Sequence, residues 1–445
     1  MPDRPPIPEP PHRGCCLGGR TNTSPLGTNT GAGYGPGDRS MINPSIGNRL
    51  ACPIVAAMLA MGACSLDRGN GGNADPAPWE WTELGGPDAE VSSLAGNQEP
   101  LVVAGTQLLL GTGDGVWRRS LSANGTWERA GLSGLAIHAL TLTHDGDRVV
   151  AAGLDPVDVK APTAWHSTDN GATWIAASAW PRGEAGSPFE GDSFPFYTLE
   201  PDPTDNDVVY GGLSGDTVAV TVDGGATWIM SDGAAEPAFG DACVPYRSVA
   251  VPVLLQGCEL PLDTAWVGAR RVVEQDRFRL PDFRFLYGYP NLEELENRRI
   301  NAMAGVTARP DRVLVGVEGG LLELTTGSGN WIDRDDITAN WIMRVEQSDS
   351  ARPYPYIRGI AALDDEGQHL LFGGTVNGVN ESLSLFEMED GNLVQLSAPL
   401  TLHDPRVEQI WRLEDRDVLL VISDTDPADM NPDRPHRPKV YRLQR

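Results

Sequence analysis

Residues Ser167–Trp174 read "STDNGATW", and Thr221–Trp228 read "TVDGGATW". The same order of hydroxyl, acid, glycine, hydroxyl and tryptophan, occurring twice in one chain, marks an internal repeat, and a repeat decides the architecture before any other feature does. Weaker versions are "SANGTW" at Ser122–Trp127 and "TGSGNW" at Thr326–Trp331. The closing tryptophans, Trp127, Trp174, Trp228 and Trp331, stand 47, 54 and 103 residues apart. The last interval spans about two units, which implies a degenerate copy near residue 280.

Each copy sits inside a longer unit: an apolar strand, a second strand ending in glycine, a third strand, the tight turn, and a fourth strand starting at the tryptophan. "VVYGGLSGDTVAVTVDGGATWIMS", "LLLGTGDGVWRRSLSANGTWERA" and "VLVGVEGGLLELTTGSGNWIDR" share this order, as does the segment Val149–Ala177. Three further units begin at Val253, Leu370 and Val418 without the tryptophan. The last stops at Arg445 after its third strand, while "WEWTELGG" at Trp79–Gly86 reads as a fourth strand lacking the other three. A closed ring removes exposed sheet edges. The expected fold is therefore all-β: a seven-bladed β-propeller of four-stranded blades over 79–445, closed by an N-terminal strand that completes the last blade.

Ser167, Asp169, Gly171, Thr173 and Trp174, and again Thr221, Asp223, Gly225, Thr227 and Trp228, resemble the Asp-box, or bacterial-neuraminidase repeat. The motif's chemistry is that of a hairpin. The aspartate accepts hydrogen bonds from its own turn, glycine supplies a positive φ, and tryptophan buries a large area between strands. In that family the boxes lie on the outer rim, so the resemblance implies a scaffold role for these residues. Propellers with such boxes include sialidases, xyloglucan-degrading enzymes, sortilin-type receptors and photosystem II assembly factors.

The chain of 445 residues holds 51 Gly and 36 Pro and carries a formal charge of −27. This composition speaks for turns rather than helical bundles, and the charge speaks against a nucleic-acid partner. Residues 1–40 are rich in Pro, Gly and polar side chains and read as a disordered or untranslated extension. From Met41 the chain carries an export signal: Arg49, an apolar run Leu50–Met61, then Gly62 and Ala63 before Cys64. "LAMGAC" resembles the bacterial lipoprotein signal, which implies lipidation of Cys64, a membrane tether, and, with Ser65 next, sorting to the outer membrane. Residues 64–78 read as a flexible tether. Cys243 and Cys258, the cysteines beyond Cys64, are expected to pair as a disulfide. No metal and no cofactor are expected, and the protein is read as a monomer. The acidic loop Asp424–Asp433 lacks the glycine and terminal glutamate of a calcium loop and reads as solvated. Aromatic residues at about 275–299 mark an insertion over one face.

A propeller binds ligands over its channel, where the innermost strands begin. Aligning the inner strands on their apolar residues places Ser92, His138, Tyr197, Arg247, Asn301, Arg358 and Glu408 at that mouth. The leading expectation is a non-catalytic propeller of the cell envelope that holds a peptide, glycan or protein partner there. The alternative is a sialidase-type exo-glycosidase in which Arg247 and Arg358 clamp a carboxylate. "FRLP" at Phe278–Pro281 resembles a sialidase signature but follows two boxes instead of preceding them, so it carries no weight. A purely structural envelope component is the third reading.

Overall fold

The computed structural model describes residues between 78 and 445, with breaks of which the longest are 231–243 and 286–299. Cys64, the signal segment, Ser92, Cys243, Cys258 and most of the acidic loop after Thr425 lie outside the described residues. The first strand, β1 (Glu80–Gly85), precedes a series of antiparallel meanders. Blade I is β2 (Leu101–Ala104), β3 (Gln107–Thr112), β4 (Gly115–Ser120) and β5 (Glu128–Gly131). Blade II is β6 (Ala136–Leu142), β7 (Val149–Leu154), β8 (Ala164–Ser167) and β9 (Ile175–Ala176). Blade III is β10 (Phe196–Pro201), β11 (Val209–Leu213), β12 (Val218–Thr221) and β13 (Ile229–Met230).

Seven regular blades were expected, and the structure corrects this to six. Where the fourth was expected, β14 (Val244–Arg247), β15 (Val253–Gly257) and β16 (Leu262–Trp266) form an irregular sheet. Its outer strand β19 (Arg284–Phe285) meets β16 at two positions only, after a separate ribbon of β17 (Val273–Glu274) and β18 (Arg277–Phe278). The physical reason is the connection. Where third and fourth strands are joined by a box turn, as in blades I to III, the turn sets their register; here residues 267–283, which include the β17–β18 ribbon, stand between them.

Blade IV is β20 (Ile300–Val306), β21 (Arg309–Val317), β22 (Gly320–Thr326) and β23 (Ile337–Arg344). Blade V is β24 (Pro355–Ala362), β25 (His369–Val376), β26 (Ser384–Glu389) and β27 (Asn392–Gln395). Blade VI takes β28 (Arg406–Glu414), β29 (Asp417–Thr425) and β30 (His436–Gln444) from the end of the chain, and β30 pairs with β1 from Glu80↔Gln444 to Gly85↔Val440. The inner strand of blade I is Leu101–Ala104, so the alignment that used "SSLAG" from Ser92 is corrected.

The second strands of the six regular blades are packed between neighbouring sheets, which explains their continuous apolar runs. In β3, Leu109 joins Ile137, Leu140 and Val149 between blades I and II. Its neighbours Leu108 and Leu110 turn the other way, to Leu419, Val421 and Val440 of blade VI. In β25, Leu371 packs with Val407 and Leu420, while Leu370 and Phe372 pack with Leu314 and Ile357. The two faces next to the irregular sheet are apolar as well: Tyr210, Val218 and Val220 on blade III, Val313, Val315 and Val317 on blade IV.

The quoted turn spends its side chains on itself. The Ser167 hydroxyl donates to Asp169 Oδ1 (2.8 Å) and accepts from Gly171 N (2.8 Å). Asp169 accepts from the amide (2.8 Å) and hydroxyl (2.6 Å) of Thr173. These hydrogen bonds, the Thr173 hydroxyl's foremost, hold the Asp169 carboxyl down to about 2. Thr221, Asp223, Gly225 and Thr227 repeat the pattern with the same atoms. The indole of Trp174 donates to Ala130 of blade I (3.1 Å), and that of Trp127 to Leu84 of β1 (3.3 Å), so these two tryptophans tie their blades to the preceding sheet, whereas that of Trp331 donates to Pro310 of its own blade (3.1 Å).

Glycine in the second strand lets the next inner strand close in. A Cβ on Gly111 would stand 2.7 Å from Ile137 Cγ2, and one on Gly316 2.5 Å from the Ile357 carbonyl. Gly111→Ala is expected to destabilise the protein by about 1–3 kcal/mol through overpacking. Denaturant unfolding of the two proteins side by side checks this, and equal midpoints would show that the strands are not in close contact.

Candidate functional site: bulges at the start of the inner strands

An inner strand that alternates strictly would place apolar residues two apart. Five of these strands instead read apolar–X–X–apolar: Ile137 to Leu140, Phe196 to Leu199, Ile300 to Met303, Ile357 to Ile360 and Val407 to Ile410. One extra residue must then drop out of the ladder, which is a β-bulge. The register slips between Ile137 and Ala139, Phe196 and Thr198, Ile300 and Ala302, Ile357 and Gly359, and Val407 and Gln409. The residues left over are His138, Tyr197, Asn301, Arg358 and Glu408. Five of the seven residues aligned at the mouth thus share one local backbone feature at one level of the ring.

The other two do not. Ser92 lies outside the described residues, and β2 pairs with β3 without a slip. Arg247 ends β14, paired in a regular ladder opposite Leu254.

Neighbouring bulges touch. The imidazole of His138 stacks on the Tyr197 ring, with centroids 5.7 Å apart and planes 15° from parallel. Its Nδ1 lies 3.0 Å from the Phe196 carbonyl. A carbonyl can only accept, so Nδ1 carries the proton. Burial pushes the ring's pKa down to about 4 against the opposing effect of that hydrogen bond. At neutral pH the ring is uncharged and Nε2 is a bare acceptor.

On the other side Arg358 and Glu408 form an ion pair at 2.7 Å, and the Ser423 hydroxyl donates to the same carboxylate. Burial alone would raise the Glu408 pKa, but Arg358 and Ser423 outweigh it and hold the group ionised. Next to it, the Gln409 amide accepts from Leu101 N (2.7 Å) and donates to Leu101 O (3.1 Å). That side chain joins the unbulged strand β2 to the ring, a role that reading the sequence missed.

Three bulge side chains keep a buried nitrogen without a hydrogen-bond partner among the described residues: His138 Nε2, Asn301 Nδ2 and Arg358 Nε. His138 is fully buried and Asn301 is 4% exposed. Buried polar groups are seldom left this way, and three on one ring of bulges form the most distinctive chemical feature of the described channel. The set is one acceptor and two donors, with the positive charge already neutralised by Glu408.

Sequence reading also missed the other end of these strands. A cavity of about 560 Å³ opens there, lined by the ends of β6, β10 and β20 and by Trp411 of β28. Elsewhere, His369, Glu387 and Glu389 bring three ligand-type atoms within 4.8 Å of one another. The carboxylates are held by ion pairs to Arg445, and His369 bonds Glu387 at 2.7 Å, so the group acts as a latch for the C-terminal residue.

The chain matches no family model and no curated protein. Among solved structures it is similar to the β-propeller domain of Cps50 (Swd1) from Myceliophteria thermophila, at 15% identity and a TM-score of 0.50, over 82% of this chain and 99% of that one. It is also similar to YCF48 from Cyanidioschyzon merolae, at 15% identity and a TM-score of 0.49, over 83% and 99%. YCF48 bound to D1 peptide gives 13% identity and 0.49, over 83% and 96%. The first likeness shows the fold alone: the chain is a β-propeller.

Because the folded-state pKa of His138 is depressed, the unfolded chain takes up a proton at this group between about pH 6.5 and 4 that the folded chain refuses. The group's contribution to stability is therefore full above pH 6.5 and is lost as pH falls toward 4. His138→Phe is expected to flatten the stability–pH curve in that window by up to about 3 kcal/mol. Urea titrations at pH 7 and pH 4.5 measure it, and parallel curves for both proteins would refute it.

Proposed function

We propose that the protein is an exported, lipid-anchored propeller of the cell envelope that binds a polypeptide segment of a partner protein at the bulge ring, without catalysis. The observation that carries this reading is the set of buried, unpartnered nitrogens on His138, Asn301 and Arg358. A neutral acceptor beside neutral and charge-balanced donors complements peptide amides, which offer both an N–H and a C=O. The sialidase-type alternative has less behind it. It needs guanidiniums free to hold a carboxylate, and Arg358 is already paired with Glu408. A glycan rich in hydroxyls would meet the same donors and acceptors and is the second ligand class in keeping with them.

The box turns keep their resemblance to the bacterial-neuraminidase repeat at the level of the motif. Their side chains are taken up within the turns, which supports a scaffold role. Export and the anchor rest on the segment from Met41 to Cys64, in which a short apolar run ends at a lipoprotein-like "LAMGAC". An acylated Cys64 tethers the propeller to the outer membrane and leaves the ring open to envelope proteins.

Two measurements test this. Full-length protein probed on an array of random peptides is expected to select sequences with dissociation constants around the micromolar range. Asn301→Ala and His138→Leu are each expected to weaken them about tenfold, since both leave partner groups unpaired. An array pattern unchanged by both variants overturns the ring as the site. Separately, Cys64→Ser is expected to abolish incorporation of labelled palmitate and to move the protein from the membrane pellet to the soluble fraction. Equal labelling of both proteins sinks the anchor.

A further inference from the structure

An asparagine followed by glycine is chemically vulnerable, because no Cβ on the second residue obstructs attack by its backbone nitrogen on the asparagine side-chain amide. Among the described residues this pair occurs twice, as Asn124–Gly125 and Asn170–Gly171. Both pairs lie between third and fourth strands, in blades I and II, and both asparagines are exposed. Asn170 belongs to the complete box, whereas Asn124 belongs to the shortened "SANGTW", so the chain supplies its own comparison.

The complete box restrains the attacking nitrogen. Gly171 N donates to the Ser167 hydroxyl (2.8 Å), which donates to Asp169 (2.8 Å). Gly171 is buried, and Asn170 (φ 55°) and Gly171 (φ 78°) are both held in the left-handed region. Attack requires the glycine nitrogen to lose its proton. The Asp169 carboxylate, one hydroxyl away, repels the anion that would result.

The shortened turn has no such aspartate. Gly125 N donates to the Ser122 carbonyl (3.1 Å), and that carbonyl also accepts from Arg119 Nη2 (3.0 Å), so one acceptor is shared by two donors. The guanidinium lies against the glycine: a Cβ on Gly125 would stand 3.1 Å from Arg119 Nε and 3.2 Å from its Nη2. A positive charge there favours loss of the amide proton, the reverse of the effect of Asp169.

We propose that Asn124 is a site of spontaneous deamidation, and that the complete box shields Asn170 from the same reaction. Gly125 N gives its proton to solvent hydroxide and bonds to Asn124 Cγ. The Cγ–Nδ2 bond breaks, Nδ2 leaves as ammonia with a proton from water, and a cyclic succinimide remains. Water then adds to either ring carbonyl and opens the ring, to aspartate or, with the main chain rerouted through Cγ, to isoaspartate. No oxidant or reductant takes part. Both products add a negative charge. Isoaspartate also adds a methylene to the main chain between Ser122 and Trp127, whose indole holds Leu84 of β1 (3.3 Å). The reaction thus alters the turn that ties blade I to the strand before it.

Peptide mapping by mass spectrometry tests this on full-length protein incubated in mildly alkaline buffer, folded and, in parallel, unfolded in urea. In the folded chain Asn124 is expected to convert at least about tenfold faster than Asn170, since the box hydrogen bonds must open before Gly171 can react. In urea the two rates are expected to converge. Ser167→Ala removes the acceptor of Gly171 N and is expected to speed conversion at Asn170 at least about threefold, with Asn124 unchanged. Equal rates in the folded chain overturn the proposal. So does a contrast that survives unfolding, which would place its cause in the neighbouring sequence. No conversion of folded Asn124 over a period in which the unfolded chain reacts overturns it as well.

Discussion

The ring rests on one constraint, seen at three of its interfaces: the inner strand settles against the second strand of the sheet before it at a distance that a Cβ forbids. Gly111 faces Ile137 and Gly316 faces Ile357 in this way, while Gly373 stands near Val407. Once the approach is made, side chains above and below the glycine can interdigitate, and the second strand between them is buried on both faces. That is why β3 can read Leu108-Leu109-Leu110 with all three side chains fully buried, two toward one neighbour and one toward the other. Alternation in such a strand is invisible as polarity, because polar and apolar positions no longer correspond to outside and inside.

The bulges follow from the same geometry. A strand pressed between its neighbours at the axis must also bend, and an extra residue increases local twist and bend. The displaced residue no longer belongs to the ladder, so its side chain is released from the alternation that buries Ile137 or Val407. The ring collects polar side chains at the points where the ladder gives way. Burying them has a cost, and the protein offsets it unevenly. Glu408 is satisfied by Arg358 and Ser423, while His138, Asn301 and Arg358 each retain one nitrogen whose hydrogen bond the fold does not supply. Unsatisfied buried polar groups concentrate at functional sites because a ligand can supply what the scaffold withholds.

Much of this was legible in the residues. The spacing of Trp127, Trp174 and Trp228 revealed the repeat, and the polar residues at the inner-strand starts were readable in five of seven cases. Failures had two physical origins. Between residues 244 and 285 no box turn sets the register, so counting units by spacing predicted a regular blade where the fourth strand pairs at two positions only. At the first inner strand, "SSLAG" satisfied a simple apolar template, yet the strand begins at Leu101, where Gln409 from the neighbouring sheet takes both backbone groups. A contact across 308 residues leaves no local trace. The bulges did leave one. An apolar spacing of three inside a strand is incompatible with a period of two, and reading it as such identifies the displaced residue without coordinates.

The inner strands join the bulge ring to the cavity at their other end, which raises the question of whether a change at one end reaches the other. Coupling between sites requires an element with two arrangements whose balance both ligands shift. The strands that join the ends here are the innermost strands of their sheets, hydrogen-bonded on one side to the second strand. The pair Arg358–Glu408 is internal to the bulge ring and lies about 10 Å from Trp411 along β28. The three unpartnered nitrogens there are an acceptor on a neutral imidazole, an amide donor and a donor on an already paired guanidinium, so a distant change of charge alters their hydrogen bonding little.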